Sequence, residues 1–351
     1  MRVFKTIMNA YFSSGAKQTV IITGGNQGLG HACAETLACA DQDWCVIIAG
    51  HERDRITAAA DDLRAKSKAH VEPMLLNLAS LRSIRYFSEN LSEKLHEGQI
   101  PPLRALICNA GVQATSGINY TADGYEHTFG VNHLGHFLLV NLLLAQITPP
   151  GRILIVSGGA RNLSNIPAGF GGWGRLDARR MAWPENPGGL RMNGWRRYRA
   201  SKLCNLLFAH ELNRRLAEAA PMARLAHIDV NVFDPLVTPG TGLTRSWPGM
   251  LQRLWQAKAL HSVARCFGAK ISTVEKSGRA MAGVIMDPKL EGVSGKYIQA
   301  LNEQPARSIP CDPELAKRLW DDSAELVAWN RPAEVFMDTS AFVYSEPVHL
   351  L

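Results

Sequence analysis

The sequence predicts a single α/β domain in which a parallel sheet is covered by helices on both faces. Short apolar runs rich in β-branched residues alternate with longer segments of helical periodicity over most of the chain. Such alternation is typical of strand–helix–strand units, whose consecutive strands lie parallel. The 351 residues, 46% of them hydrophobic, suffice for one large core. We therefore assign residues 1–351 to one domain with a core over about 19–328.

The periodicity predicts the elements in order. Strands are expected where apolar, β-branched residues run without interruption, at 19–23, 45–49, 71–76, 103–108, 152–156 and 227–233. Helices are expected where apolar residues recur every three or four positions, at 29–40, 54–66, 81–95, 125–147, 197–219, 272–286 and 313–327. Pro149, Pro150 and Gly151 are expected to end the fourth helix before the fifth strand begins.

Two insertions interrupt this regular pattern. Residues 162–196 are rich in Gly, Arg and Trp, whereas residues 238–267 begin with Pro and Gly and continue with apolar residues around Leu251. Both follow predicted strands, so both are expected at the carboxyl edge of the sheet, where ligands bind. We interpret them as substrate loops. The first is equally compatible with packing, and the segment around Leu251 is interpreted as a lid in preference to a membrane-surface contact.

Composition limits the classes of partner and site. Lys and Arg exceed Asp and Glu by 38 − 31 = 7, but the excess is scattered, and we predict no nucleic-acid partner. The seven cysteines form no CxxC pair, and His133 and His136 lack an acidic neighbour, so no metal site is predicted. The chain shows no secretory signal and no membrane-length apolar stretch. A cytoplasmic location is expected, with a peripheral membrane contact left open. The sequence does not decide the oligomeric state.

A glycine-rich loop follows the first predicted strand and precedes the first predicted helix. Glycines in this context let the backbone turn sharply and approach a pyrophosphate, which then faces the amides of the helix N-terminus. The loop predicts a Rossmann-type dinucleotide site. The residues expected to contact the cofactor are Thr23, Gly24, Asn26, Gln27, Gly28, Leu29 and Gly30.

The end of the second predicted strand indicates which cofactor binds. NAD-binding proteins of this type place an acidic residue there for the ribose hydroxyls. Gly50 occupies that point here, and His51 and Arg53 follow it with positive character. The sequence therefore predicts NADP(H) in preference to NAD(H), although both basic residues would also suit a solvated loop.

A tyrosine and a lysine lie four residues apart, at Tyr198 and Lys202, and would share one face of a helix. A cation beside a phenol favours the phenolate, so Lys202 is expected to lower the pKa of Tyr198. Such a phenol can exchange a proton with a carbinol oxygen while hydride moves to or from a nicotinamide.

These motifs resemble the short-chain dehydrogenase/reductase family over about residues 20–327. The resemblance rests on TGxxxGxG at 23–30, on Asn109, Ala110 and Gly111, on Asn132 within GVNHLGHFLL, and on YxxxK at 198–202. It implies that the 109–111 segment backs the cofactor, that Lys202 also holds the nicotinamide ribose and that Asn132 supports a proton-relay water. It also places Asn77, Leu78 and Val237 against the cofactor.

Within that family the chain is most similar to the retinol dehydrogenase and protochlorophyllide reductase branch. The similarity lies in the sequences NLASL at 77–81, NHLGHF at 132–137, SKLCN at 201–205 and the late Leu319-Trp320. Val237 stands where the light-driven reductases carry a cysteine near the pigment, which disfavours a light-driven reaction. Leu236 also departs from the family pattern, because a glycine is usual at that position.

The family's catalytic Ser or Thr falls on Gly158, and Ser157 lies one residue too early. Side chains alternate between faces along a strand, so a one-residue offset reverses the direction of the hydroxyl. Either the backbone at Gly158 brings Ser157 into the site, or the enzyme works without this hydroxyl. We favour the first hypothesis, because Asn132, Tyr198 and Lys202 are all retained.

The function implied is NADP(H)-linked hydride transfer at a carbonyl or alcohol of a bulky apolar small molecule. One alternative is reduction of a C=C bond, as in protochlorophyllide reductases. A second is a sensor or scaffold that binds NADP without turnover. The missing hydroxyl favours this second alternative, and the retained Tyr198 and Lys202 argue against it.

Overall fold

The computed structural model describes residues 17–40, 43–67, 69–114, 117–158, 176–186, 192–219, 227–239, 271–300, 307–308 and 312–328. The strands of these residues are β1 (Gln18–Thr23), β2 (Trp44–Gly50), β3 (His70–Leu75), β4 (Leu103–Cys108), β5 (Ile147–Val156), β6 (Ile228–Asp234), β7 (Lys296–Gln299) and β8 (Arg307–Ser308). They form one sheet of order β3-β2-β1-β4-β5-β6-β7-β8. Neighbouring strands are parallel from β3 to β7, and β8 joins β7 antiparallel.

The helices connect and cover these strands. They are α1 (Gly28–Ala38), α2 (Arg53–Lys66), α3 (Leu81–His96), α4 (His127–Phe129), α5 (Gly135–Leu143), α6 (Ala178–Ala182), α7 (Gly194–Ala219), α8 (Val274–Met286) and α9 (Pro313–Leu326). A π-helical turn, Gly130–Leu134, joins α4 to α5.

The core is divided between the two faces of the sheet, because successive strand residues point to opposite sides. Ile21 belongs to the apolar cluster under α3, α5, α7 and α9. Its neighbours Val20 and Ile22 belong to the cluster under α1, α2 and α8. The predicted doubly wound α/β sheet is therefore confirmed.

The strand order reverses at β1, which lies between β2 and β4. The chain winds outward from β1 to β3, then returns to the other side of β1 and winds outward again. In open parallel sheets the crevice for ligands lies at such a reversal, beyond the carboxyl ends of the strands. Here those ends are Thr23 of β1 and Cys108 of β4.

One boundary differs from the prediction. Pro149, Pro150 and Gly151 do not end the preceding helix but lie within β5, which begins at Ile147. The register of β4 against β5 shifts between Leu103 and Ala105, so this part of β5 carries an irregularity. Proline is tolerated in a strand at such points, because no ladder hydrogen bond needs its missing N–H. The short strands β7 and β8 were not predicted.

The segment His127–Gln146 is long and apolar enough to cross a membrane, contrary to the expectation from sequence. However, 89% of its most apolar window is buried inside the protein. Its side chains pack against β4, α3 and α7 in the core. Burial of this kind is typical of the central helix of a globular domain.

The two insertions lie mostly outside the described residues. Of the first, only residues 176–186 and 192–196 are described, and of the second only residues 238–239.

The contact between α1 and α8 generates a prediction. A Cβ added at Gly278 would lie 2.5 Å from the Ala32 Cβ and 2.9 Å from the Cys33 nitrogen. We expect Gly278→Ala to force the two helices apart and to lower the free energy of unfolding by about 1–3 kcal/mol. Urea denaturation of both proteins measures this difference. Gly283→Ala is the matched control on α8, since nothing lies within 4 Å of its added Cβ. The control should be neutral or stabilising by up to about 1 kcal/mol, and equal effects of the two changes would contradict the packing described.

Candidate active site

The glycine loop forms a tight connection between β1 and α1. Gly24 and Gly28 adopt φ values of +66° and +52°, which are unfavourable for other residues. A Cβ at Gly30 would lie 2.4 Å from the Gly24 carbonyl oxygen, so no larger residue fits there. The Gln27 side chain does not cap α1. The loop therefore leaves a backbone cradle at a helix N-terminus, which fits the pyrophosphate of a dinucleotide.

The hydroxyl of Thr23 joins this loop to the end of β4. Its Oγ1 accepts hydrogen bonds from the backbone nitrogens of Asn109 at 2.9 Å and Ala110 at 3.0 Å. In return the Asn109 Nδ2 donates to the Thr23 carbonyl oxygen at 2.9 Å. The two segments predicted to hold the cofactor are thus fixed to each other.

His136 extends this network into the core. Its Nε2 lies 2.9 Å from the Thr23 Oγ1 and its Nδ1 lies 3.1 Å from the Asn132 carbonyl oxygen. Burial lowers the pKa of His136 to about 4, so the ring is neutral near pH 7. Because a carbonyl only accepts, the proton belongs on Nδ1, and Nε2 accepts from the Thr23 hydroxyl.

The end of β2 has no room for an acidic side chain. A Cβ at Gly50 would lie 2.8 Å from the Ile56 Cγ2 and 3.4 Å from the Asn26 Oδ1. His51 and Arg53 follow on the surface. The neighbouring acid, Glu52, is held by Arg55 at 3.0 Å and by His51 at 3.5 Å.

Three other residues expected at the cofactor have local roles. Asn77 is exposed, and its Oδ1 accepts from the Ala79 nitrogen at 2.9 Å. The side chains of Leu29 and Leu78 are both buried in the core, so only their backbone could face a ligand. Both leucine side chains therefore contribute to the apolar core.

Tyr198 and Lys202 share one face of α7. The Lys202 Nζ lies 5.8 Å from the centre of the Tyr198 ring and donates to the Val156 carbonyl oxygen at 3.0 Å. A Cβ at Gly111 would lie 3.5 Å from the same Nζ, so the 109–111 segment is close to the lysine. Trp195 stacks on the outer side of Tyr198 with an angle of 9° between the rings.

The charges of these two groups differ from the expectation. Burial, and to a lesser degree the negative charge of Asp234, raises the pKa of the Tyr198 phenol above its ordinary value. Burial also lowers the pKa of the Lys202 ammonium to about 8. Lys202 does not lower the pKa of Tyr198, because its Nζ is directed to Val156 and removal of the phenol from water dominates. Tyr198 therefore keeps its proton near neutral pH.

Asn132 connects the π-helical turn to α7. Its Oδ1 accepts from the Val112 nitrogen at 2.8 Å, and its Nδ2 donates to the Val112 carbonyl oxygen at 2.9 Å. The Nδ2 also donates to the Ser201 Oγ at 2.9 Å, and that hydroxyl donates to the Tyr198 carbonyl oxygen at 2.7 Å. The Asn132 side chain thus fixes the site by direct hydrogen bonds, and the proton-relay water implied by the resemblance stays a prediction.

Ser157 is directed away from Tyr198, contrary to the hypothesis we favoured. It is fully buried, and its Oγ donates to the Lys202 carbonyl oxygen at 2.6 Å. The position of Gly158 instead faces Asp234, whose Oδ1 would lie 3.2 Å from an added Cβ. Strand alternation therefore holds at this point, and the glycine does not turn the serine into the site.

The turn after β6 carries a leucine where the family pattern has a glycine. Leu236 has a φ of +64°, a value that usually favours glycine. Its nitrogen donates to the Asp234 Oδ1 at 2.9 Å, which stabilises the turn. Val237 follows with 38% of its surface exposed at this edge of the sheet.

Two charged residues beside the site were not predicted from the sequence. Glu126 and Arg197 form an ion pair with an Nε–Oε1 distance of 3.0 Å, and both side chains are almost fully buried. Both residues lie within predicted helices, at 125–147 and 197–219, and the periodicity of those helices does not predict that the two side chains pair. Their 71-residue separation along the chain conceals the pairing.

Comparison with known proteins agrees with this geometry. A family model described as short chain dehydrogenase matches residues 18–167. Retinol dehydrogenase 13 of Homo sapiens is 33% identical over 319 residues, which are 90% of this chain and 86% of that protein. Protochlorophyllide reductase A, chloroplastic, of Oryza sativa subsp. japonica is 34% identical over 340 residues, which cover 88% of this chain and 80% of that protein.

A solved structure shows the same fold. The short chain dehydrogenase from Burkholderia cenocepacia J2315 in complex with NADP is 19% identical, has a TM-score of 0.56 and covers 81% of this chain and 96% of that one. The extent of the match to the two relatives, together with the glycine loop and the YxxxK pair, identifies the family. The chain belongs to the short-chain dehydrogenase/reductase family and is an NAD(P)-dependent oxidoreductase.

Proposed function

We propose that this protein is an NADP(H)-dependent enzyme that reduces a carbonyl, or oxidises the corresponding alcohol, of a bulky apolar small molecule. The observation that carries the proposal is the position of Tyr198 one helical turn from Lys202 at the carboxyl edge of the sheet, with the Lys202 Nζ 5.8 Å from the centre of the phenol ring. A phenol that holds its proton near neutral pH can donate it to a substrate oxygen, which favours the direction of reduction.

The chain's own residues would do the following. When bound, a nicotinamide cofactor supplies or accepts hydride at the substrate carbon. Tyr198 donates its proton to the substrate oxygen as negative charge develops there. Lys202 is only 4% exposed, and its Nζ, beside the Val156 carbonyl oxygen and the 109–111 segment, is placed to hold the nicotinamide ribose. Asn132 holds α7 against the 109–112 segment, so that Tyr198 keeps its position.

The preference for NADP(H) rests on the adenine end of the site. The space at Gly50 excludes the acid that would bind the ribose hydroxyls. Arg53 begins α2 on the surface, and no described carboxylate forms an ion pair with it. The charge of Glu52 is compensated by Arg55, so it opposes a phosphate only weakly.

The apolar substrate is supported by one exposed aromatic side chain. Trp195 is 54% exposed and stacks beside Tyr198, where it offers an apolar surface to a substrate. One relative is named for retinol, a bulky apolar alcohol. We also propose that residues 1–351 form one domain and that the protein is cytoplasmic or peripheral to a membrane.

Reduction of a C=C bond is a second candidate. It is favoured by the direction of Ser157, because no hydroxyl from 157 or 158 is available to polarise a carbonyl oxygen. One relative is named as a protochlorophyllide reductase, whose reaction is of this class. Assays with α,β-unsaturated carbonyl compounds separate the candidates, since the two reactions give an allylic alcohol or a saturated carbonyl as product.

The cofactor preference is tested by fluorescence titration with NADPH and NADH. NADPH should bind more tightly, and Arg53→Gln should weaken NADPH binding about tenfold with little effect on NADH, because a charge-assisted hydrogen bond to the 2′-phosphate is lost. Arg64→Gln is the matched control on α2 and should leave the affinity for NADPH unchanged, since Arg64 lies near the other end of the helix and pairs with Asp61 at 2.8 Å. Equal affinity of the wild-type protein for both cofactors would contradict the preference.

The role of Tyr198 is tested by NADPH oxidation against a panel of apolar aldehydes and ketones that includes retinaldehyde. Tyr198→Phe should bind NADPH normally but lose about 10²–10⁴ in turnover, because the proton donor is removed. Tyr120→Phe is the control, since this exposed hydroxyl is directed to Glu185. Near-normal turnover by Tyr198→Phe would rule out the mechanism. If the wild-type protein binds NADPH but turns over no substrate, the result would favour a sensor or scaffold.

The role of Ser157 is tested in the same assay. Since its hydroxyl donates to the Lys202 carbonyl oxygen, Ser157→Ala should lower the free energy of unfolding by about 1 kcal/mol and leave turnover nearly unchanged. Loss of a catalytic donor would instead reduce the rate by about 10²–10³. A loss of that size would show that Ser157 reaches the substrate. Gly158→Ser places a hydroxyl on the face opposite to that of Ser157, and its turnover is compared with that of the wild-type protein.

A further inference from the structure

An almost fully buried ion pair joins Arg197, in the first turn of α7, to Glu126 at the start of α4. Glu126 is 1% exposed and Arg197 is 5% exposed, and the Arg197 Nε lies 3.0 Å from the Glu126 Oε1. Arg197 immediately precedes Tyr198 in the chain. Burial of two charges is unfavourable unless every remaining polar atom also finds a partner.

Each of the three nitrogen atoms of the Arg197 guanidinium donates a hydrogen bond. Its Nε donates to Glu126, its NH1 donates to the Met192 carbonyl oxygen at 2.8 Å, and its NH2 donates to the Gly117 carbonyl oxygen. Met192 lies just before α7, and Gly117 lies a few residues after the 109–111 segment, which is predicted to face the cofactor. One side chain thus joins two loops and a helix.

The carboxylate is bound equally fully. The second oxygen of Glu126 accepts from the Phe129 nitrogen at 2.8 Å and so caps α4, the helix that leads into the π-helical turn of Asn132. The Glu126 backbone nitrogen donates to the Ala182 carbonyl oxygen at 2.8 Å, which adds α6 to the same junction. The pair therefore connects the helix of Asn132 with the helix of Tyr198.

We propose that Arg197, held by Glu126, is a positioning residue that sets Tyr198 against Asn132 and the 109–112 segment. The proposal rests on the proposed role of Tyr198. A buried guanidinium that is hydrogen-bonded through all three of its nitrogen atoms allows few alternative arrangements of the groups around it, whereas apolar packing at the same place would tolerate sliding of α7. The pair acts on the reaction through the placement of the phenol and touches neither substrate nor cofactor.

The test compares Arg197→Met with the double variant Glu126→Gln/Arg197→Met. Arg197→Met leaves a buried, unpaired carboxylate and should be clearly destabilised. The double variant removes that charge and should recover much of the stability. If the pair positions Tyr198, kcat should stay about 10–100-fold low in both variants, while the affinity for NADPH stays unchanged. Recovery of kcat together with stability would overturn the proposal, because the pair would then only stabilise the fold.

Arg215→Met is the matched control on α7. Arg215 pairs with the buried Glu211 at 2.7 Å near the other end of the helix, and Glu211 keeps Arg214 as a partner when Arg215 is replaced. This control should lower stability without a change in kcat. All turnover measurements are made well below the unfolding midpoint of each variant.

Amide hydrogen exchange gives a readout that needs no turnover. In Arg197→Met, amide exchange should become faster in residues 111–119 and 192–200 and stay unchanged in residues 205–219. In Arg215→Met, exchange should become faster in residues 205–219 and stay unchanged in residues 192–200. Uniform acceleration in both variants would overturn the proposal. If the wild-type protein reduces no carbonyl, the proposed function fails, and the exchange pattern still decides whether the pair holds the two segments together.

Discussion

The close approach of α1 to β1 is the constraint on which the rest of the site depends. Gly30 permits it, since a Cβ there would meet the Gly24 carbonyl oxygen. The Thr23 hydroxyl then accepts the two backbone N–H groups that follow β4, and so joins the strands on either side of the reversal in strand order. These contacts extend the backbone pairing of β1 with β4 beyond the ends of the two strands, where the crevice lies.

From this point a continuous set of hydrogen bonds reaches the reactive helix. His136 connects Thr23 to the Asn132 carbonyl, the Asn132 side chain reaches Ser201, and Ser201 holds the Tyr198 carbonyl. Nearly all of these groups are buried, where each unmade bond would leave a desolvated polar atom. The network therefore has one well-satisfied arrangement, which favours a rigid site over a mobile one.

The departures from local rules cluster at the carboxyl edge of the sheet. Leu236 adopts a left-handed backbone at the end of β6, and Gly158 replaces a hydroxyl at the end of β5. Asp234 contributes to both, because its Oδ1 accepts from the Leu236 nitrogen and occupies the space in front of Gly158. Departures from sequence rules are expected at functional sites, where geometry outweighs local preference.

The sequence by itself determined the parallel sheet, the positions of its first six strands along the chain, the glycine loop and the spacing of Tyr198 and Lys202, because these depend on local periodicity and short-range contacts. Tertiary structure alone decided the direction of Ser157, the start of β5 before its prolines, the raised pKa of Tyr198 and the pairing of Glu126 with Arg197. Each of these depends on burial or on contacts between residues distant in the chain. Desolvation and pairing depend on what the fold places around a group, and no pattern along the sequence carries that information.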